Sequence, residues 1–166
     1  MKYLVTVLSL LVATASVVGG QRAANSKVAE FALQDQFGNL VDISLYKGSI
    51  VVIIASDKEG IDQNENWEKA ILQKNGDDII LLRVADVRGV PSDLRKYVRK
   101  KFQEIKLSIL LDWDGTIFRQ YGLMKNVSNL ILIDRKGYIR YMSSGPAETP
   151  AVDRLFNEID VLERSR

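Results

Sequence analysis

The sequence predicts an α/β fold: a mixed central sheet with helices on both faces and an N-terminal β-hairpin extension. Three observations carry this. The run Ile50–Ala55 is continuously apolar and mostly β-branched, which marks a strand buried on both faces. Further apolar runs at 79–86, 109–111 and 129–133 alternate with segments whose apolar residues recur at helical spacing. The last such segment, after residue 149, follows two short strands rather than one, so the sheet gains an antiparallel hairpin before the chain closes with a helix.

Composition limits the chemistry more sharply than it limits the fold. The chain has 166 residues, 46% hydrophobic and 27% charged, enough for one domain with a substantial core. It contains no cysteine and no histidine. Disulfides, thiolate nucleophiles, cysteine or histidine metal sites and any serine–histidine triad are therefore excluded. A net charge of +2 lacks the strong basic excess of a nucleic-acid-binding chain, so no nucleic acid is expected as a partner. No cofactor is implied.

Residues 1–20 have the outline of a secretory signal peptide: Lys2, the apolar run Leu4–Val12, then small residues with cleavage expected after Gly20 or Ala15. The apolar run is short for a membrane span, so none is expected once the leader is removed. Residues 21–26 read as a flexible lead-in and 27–166 as the folded domain. The expected location is exported, periplasmic or secreted.

Within the domain, Val28–Leu33 and Leu40–Ile43 read as strands around the turn Asp35-Gln36-Phe37-Gly38-Asn39. A helix is expected over Gln63–Lys74, with Trp67, Ala70, Ile71 and Lys74 on one face and Asn75-Gly76 as its stop. Strand Ile79–Asp86 follows. Ser92 is expected to cap a helix over Asp93–Ile105, with Leu94, Tyr97, Val98, Phe102 and Ile105 as one apolar stripe. Arg95, Lys96, Arg99 and Lys100 fall on its other side, either a solvated face or a docking patch for an acidic partner or anionic surface. Ile109–Leu111 is a strand, Thr116–Tyr121 a short helix, and Asn129–Ile133 with Tyr138–Met142 a hairpin. Thr149 is expected to cap the final helix, with Pro150 at its first position and Val152, Leu155, Phe156, Ile159 and Leu162 facing the core.

This order resembles a thioredoxin-like domain of the redoxin type. Phe31-Ala-Leu-Gln-Asp-Gln-Phe-Gly-Asn39 resembles the opening of peroxiredoxins and of TlpA/ResA-like thiol oxidoreductases. Tyr46–Ile54 is similar to their first core strand. Leu110-Leu-Asp-Trp-Asp-Gly-Thr116 with Tyr121-Gly122 is similar to their central segment, and Leu130–Gly137 to their "FLID-x-x-G" hairpin. The resemblance spans roughly residues 27–163. It implies a reactive cysteine close to Gly60, a second near Gln63 and a cis-proline at Ser128, and none of the three is present. Asp57, Lys58, Glu59, Gly60, Gln63 and Ser128 thus form a degenerate active-site region. The expected function is that of a redox-inactive, cysteine-less binding scaffold of the cell envelope with a protein partner.

Two enzyme readings compete. Asp57, Glu59 and Asp62, with Asp86 at a neighbouring strand end, are carboxylates that a divalent cation or acid–base chemistry would use. Ile109–Ile117 also matches the "DxDGT" motif of haloacid-dehalogenase-like phosphatases, which would make Asp112 the nucleophile and Asp114 the acid/base with Mg²⁺. That motif normally opens its fold, whereas here about fifty residues follow it and no later Asp pair exists to hold the metal.

Overall fold

The computed structural model describes residues 25–76 and 78–165. The leader expected at 1–20 and most of the lead-in at 21–26 lie outside the described residues. Strand β3 (Val51–Ser56) is the centre of a five-stranded sheet. It pairs in parallel with β4 (Ile80–Asp86) and antiparallel with β6 (Asn129–Ile133). β5 (Leu110–Asp112) extends the sheet beyond β4, and β7 (Ile139–Ser144) beyond β6. The order is therefore β5-β4-β3-β6-β7, a mixed sheet as expected.

All six residues of β3 are buried because both faces of the sheet are covered. Val51, Ile53 and Ala55 point to one side, where they meet Phe31, Ile43, Ile117 and Phe118. Ile50, Val52 and Ile54 point to the other, against Trp67 and Ile71 of helix α1 (Asn64–Asn75) and Leu155, Ile159 and Leu162 of helix α4 (Thr149–Arg164). Each such side chain contributes about 1.5–3 kcal/mol by leaving water. Lys74 ties α1 to α4 through Asp160 at 2.8 Å and lies 4.6 Å from the centre of the Phe156 ring. Helix α3 (Thr116–Tyr121) covers the first face, and Tyr121 donates to the Ala29 carbonyl at 3.0 Å. Burial pushes the Tyr121 hydroxyl up to about 12.

Strands β1 (Ala32–Gln34) and β2 (Leu40–Asp42) form the separate N-terminal hairpin. Its turn is built by Asp35, whose carboxylate accepts the N–H groups of Phe37 and Asn39 at 2.9 Å each and the Ser108 hydroxyl at 3.2 Å. Gln36, fully buried, fastens the turn to the segment after helix α2 (Arg95–Phe102). Its Nε2 donates to the carbonyls of Ile105 and Leu107 at 3.1 and 2.7 Å, and its Oε1 accepts the Ile109 N–H at 2.8 Å.

Three local expectations are corrected. The stripe expected on the 93–105 helix breaks up: Val98 and Phe102 pack against Val87 and Leu111, while Leu94, Tyr97 and Ile105 are exposed. α2 ends at Phe102, where the Gln36 amide takes over the following carbonyls, so Ile105 never joins its inner face. Ser92 makes no cap; it opens a 3₁₀ turn whose preceding residue, Pro91, has no N–H or polar side chain to offer. α4 likewise starts one residue early, with Glu148 at the N-cap position and Thr149 already helical.

Burial alone would raise the Asp35 carboxyl, but the hydrogen bonds from Asn39, Phe37 and Ser108 outweigh it and hold the group below its ordinary value. The resulting stabilisation is full above the unfolded value of about 4 and is lost as pH falls through the folded one. Urea unfolding should find Asp35→Asn less stable than the unaltered chain at pH 6, with the gap closing below about pH 4. A gap independent of pH would refute this account of the turn.

Candidate functional site

In open α/β sheets the carboxyl ends of the central strands are where chemistry collects. β3 ends at Ser56, and the loop 57–60 leads through a 3₁₀ turn (Ile61–Gln63) into α1. The segment 123–128, between α3 and β6, comes over the top of this loop. The two are knitted together. Asp57 accepts the Gly60 N–H at 3.0 Å with one oxygen and the Asn126 N–H at 2.9 Å with the other. Gln63 accepts the Ser128 N–H at 3.2 Å.

Gly60 is buried directly against Val127. A Cβ placed on it would sit 2.5 Å from the Val127 carbonyl carbon and oxygen and 2.7 Å from its nitrogen. The Gly60 backbone, at φ −91°, is open to any residue, so space rather than conformation demands glycine here. The position where the family resemblance puts the thiolate is closed by backbone, with contact where a groove would lie. Around Ser128 no peptide bond is cis; the described residues contain none. The Ser128 carbonyl accepts from Gly145, whose own carbonyl accepts the Trp67 indole N–H at 3.0 Å.

The residue that organises this closure was not a sequence candidate. Asn129, fully buried, donates from Nδ2 to the carbonyls of Ala55, Met124 and Val127. Its Oδ1 accepts the Met124 N–H at 2.9 Å and the Ser144 hydroxyl at 2.8 Å. It thereby folds 124–128 back over the end of β3. The signal was a polar amide opening the otherwise apolar run Asn129-Leu-Ile-Leu-Ile133. What stays in water at this edge is Lys58, Glu59 and Asp62, with Ile61 and Met124 as exposed apolar side chains on the two joined loops.

The competing chemistries find little here. Asp57 has both oxygens engaged by backbone N–H groups, and Glu59 and Asp62 point to solvent. Asp86, at the end of β4, is paired with Arg88 at 2.7 Å. Among the described residues no group of three or more acidic, histidine or cysteine side chains is placed to hold a metal ion. Asp112 is fully buried and caps α3, accepting the Thr116 and Ile117 N–H groups at 2.8 and 2.9 Å. Burial raises its carboxyl, the N–H donors of α3 lower it less, and the Asp86 charge on the neighbouring strand adds to the rise. Asp114, by contrast, is exposed and 4.0 Å from Arg95. A nucleophile sealed under a helix and an acid in solvent do not make a phosphatase pair. The "DG" is a turn, with Gly115 at φ 66° under the Arg88 side chain.

The basic set on α2 divides. Arg95 lies 5.3 Å from the centre of the Trp113 ring and Arg99 donates to Gln34 at 3.5 Å, both half-buried. Lys96 and Lys100 are exposed.

No family model and no curated protein matches this chain. Solved structures do. An exposed lipoprotein thioredoxin of Streptococcus pneumoniae is 21% identical, with a TM-score of 0.61 over 78% of this chain and 99% of its own. A protein assigned as the thiol:disulfide interchange protein DsbE of Chlorobium tepidum is 19% identical, with a TM-score of 0.64 over 84% and 96%. StoA of Bacillus subtilis is 17% identical, with a TM-score of 0.58 over 79% and 96%. These likenesses show the fold: the chain is thioredoxin-like, with an N-terminal two-stranded sheet, and it carries no cysteine.

Filling the space over Gly60 has a defined cost. Gly60→Ala should lower stability by about 1–3 kcal/mol, because the nearest neighbours of its Cβ are backbone atoms that only a shift of the 126–128 segment can clear. Denaturant unfolding measures it, and an unchanged midpoint would show that the segment yields freely. Asn129→Ala, which orphans buried carbonyls, should cost a similar amount.

Proposed function

We propose that this chain is a redox-inactive thioredoxin-fold protein of the cell envelope that works by binding a protein partner at the edge where loops 57–63 and 124–128 meet. One observation carries the reading: the backbone of Val127 occupies the space that any side chain at Gly60 would need. With no cysteine in the chain, thiol chemistry has no nucleophile and no room for one. The scaffold has instead been made rigid at that edge by Asp57, Gln63 and Asn129, and a rigid edge carrying exposed Ile61 and Met124 suits recognition. Lys58 and Glu59 form its polar rim.

Export is part of the same proposal. The charged and apolar pattern of residues 1–20 is that of a leader, and the similar structures include an exposed lipoprotein. No helix among the described residues is long and apolar enough to cross a membrane. The mature protein should begin near Ser16 or Gln21. N-terminal sequencing from the native host tests this, and a retained Met1 would refute it.

Purified protein should reduce no insulin, consume no peroxide and cleave no phosphate ester with Mg²⁺. Turnover above background in any of these assays would refute the non-enzymatic reading. For binding, a photo-crosslinking residue at position 61 or 124 should give a discrete protein adduct in the native host, while one at Val161, exposed on α4, should not. Absence of adducts at 61 and 124, or equal labelling at 161, would remove this edge as the recognition surface.

A further inference from the structure

Helix α2 is held to the protein differently from the other described α-helices. α1, α3 and α4 each bury three residues, and α2 buries none fully. Val98 and Phe102 rest on the sheet edge, and at about 100° per residue Lys96 and Lys100 fall on the opposite side, with Tyr97 next to them. Tyr97 is 61% exposed. The side chains of Lys96, Lys100 and Lys106 have no hydrogen bond or ion pair among the described residues, although each is within a strongly charged stretch. Residues 92–107 hold six basic side chains against two acidic ones, a net +4, whereas the whole chain is +2; the remainder is thus net negative. Of these six, Arg95 and Arg99 turn to Trp113 and Gln34 and Lys101 pairs with Glu104, which leaves Lys96, Lys100 and Lys106.

Large exposed apolar side chains lie close to these lysines along the chain. Ile105 and Leu107 are exposed just beyond the end of α2, and Gln36, bonded to both their carbonyls, brings the half-exposed Phe37 to the same end. A helix face that carries unpaired lysine side chains beside exposed Tyr97, Ile105 and Leu107 matches a negatively charged lipid interface. Lysine stems lie along the headgroups while the apolar side chains reach the acyl boundary.

We propose that the α2 face, through Lys96, Lys100 and Lys106 with Tyr97, Ile105 and Leu107, docks on an anionic lipid bilayer. This does not rest on the reading of the 57–63 edge, and the two are tested by separate measurements. The experiment is vesicle flotation of the full chain with phosphatidylcholine alone and with about 30% phosphatidylglycerol added. The readout is the ratio of anionic to neutral binding. That ratio should be about tenfold or more, and should fall to near one in Lys96→Glu/Lys100→Glu and at about 0.5 M salt. Lys96→Gln/Lys100→Gln, checked by its unfolding midpoint, serves if the charge reversal disturbs folding. Equal binding to both vesicles, no binding, or a preference that survives the substitutions overturns the proposal. So does capture by polyglutamate with no vesicle preference, which would assign the face to an acidic protein.

Discussion

The Asn129 carboxamide is the interaction on which the character of this molecule depends. It sits at the first position of β6, paired opposite Ala55, and its two ends bond five groups drawn from β3, β7 and the segment before it. A buried amide is costly unless its donors and acceptor are satisfied, and here they are. Satisfying them requires Met124 and Val127 to fold back toward the end of β3. Once Val127 lies there, the residue facing it at position 60 has no room for a side chain.

The consequences spread outward from that contact. Asp57 would be a free carboxylate at a strand end in an open site; with Asn126 overhead it becomes a bracket between two loops. Gln63, near the position expected for a second cysteine, spends its carbonyl on the Ser128 N–H. Ser128 and Gly145 then link the loop to Trp67 in the core beneath α1. Polar groups that chemistry would need accessible are hydrogen-bonded between the two loops instead.

The far end of the sheet is organised by a second amide and on weaker terms. Gln36 bonds carbonyls and an N–H of the 102–109 segment, so the position of α2 relies on this fastening as well as on Val98 and Phe102. Its outer face is left with Lys96 and Lys100, whose side chains form no ion pair among the described residues, while the arginines at 95 and 99 turn inward to Trp113 and Gln34. Sequence spacing placed all four cations on one side of a helix, but a guanidinium stacks on a ring and bridges amides where an ammonium stays hydrated.

Much of the fold was legible because it rests on periodicity. Ile50–Ala55 had to be central, since no arrangement other than burial on both faces hides six consecutive apolar residues. Leu155, Ile159 and Leu162 had to face the core because helical spacing puts them on one side. The missing cysteines and histidines excluded thiol and imidazole chemistry with no structure needed. The sequence could not show where single polar side chains go, because their partners lie far along the chain: Gln36 reaches Leu107, Asp57 reaches Asn126, and Asn129 reaches Ala55. Gly60 looked like a position that had merely lost its cysteine. Only the tertiary structure shows the Val127 backbone against it, because whether a Cβ fits is a question of distance between segments that have no local relation to one another.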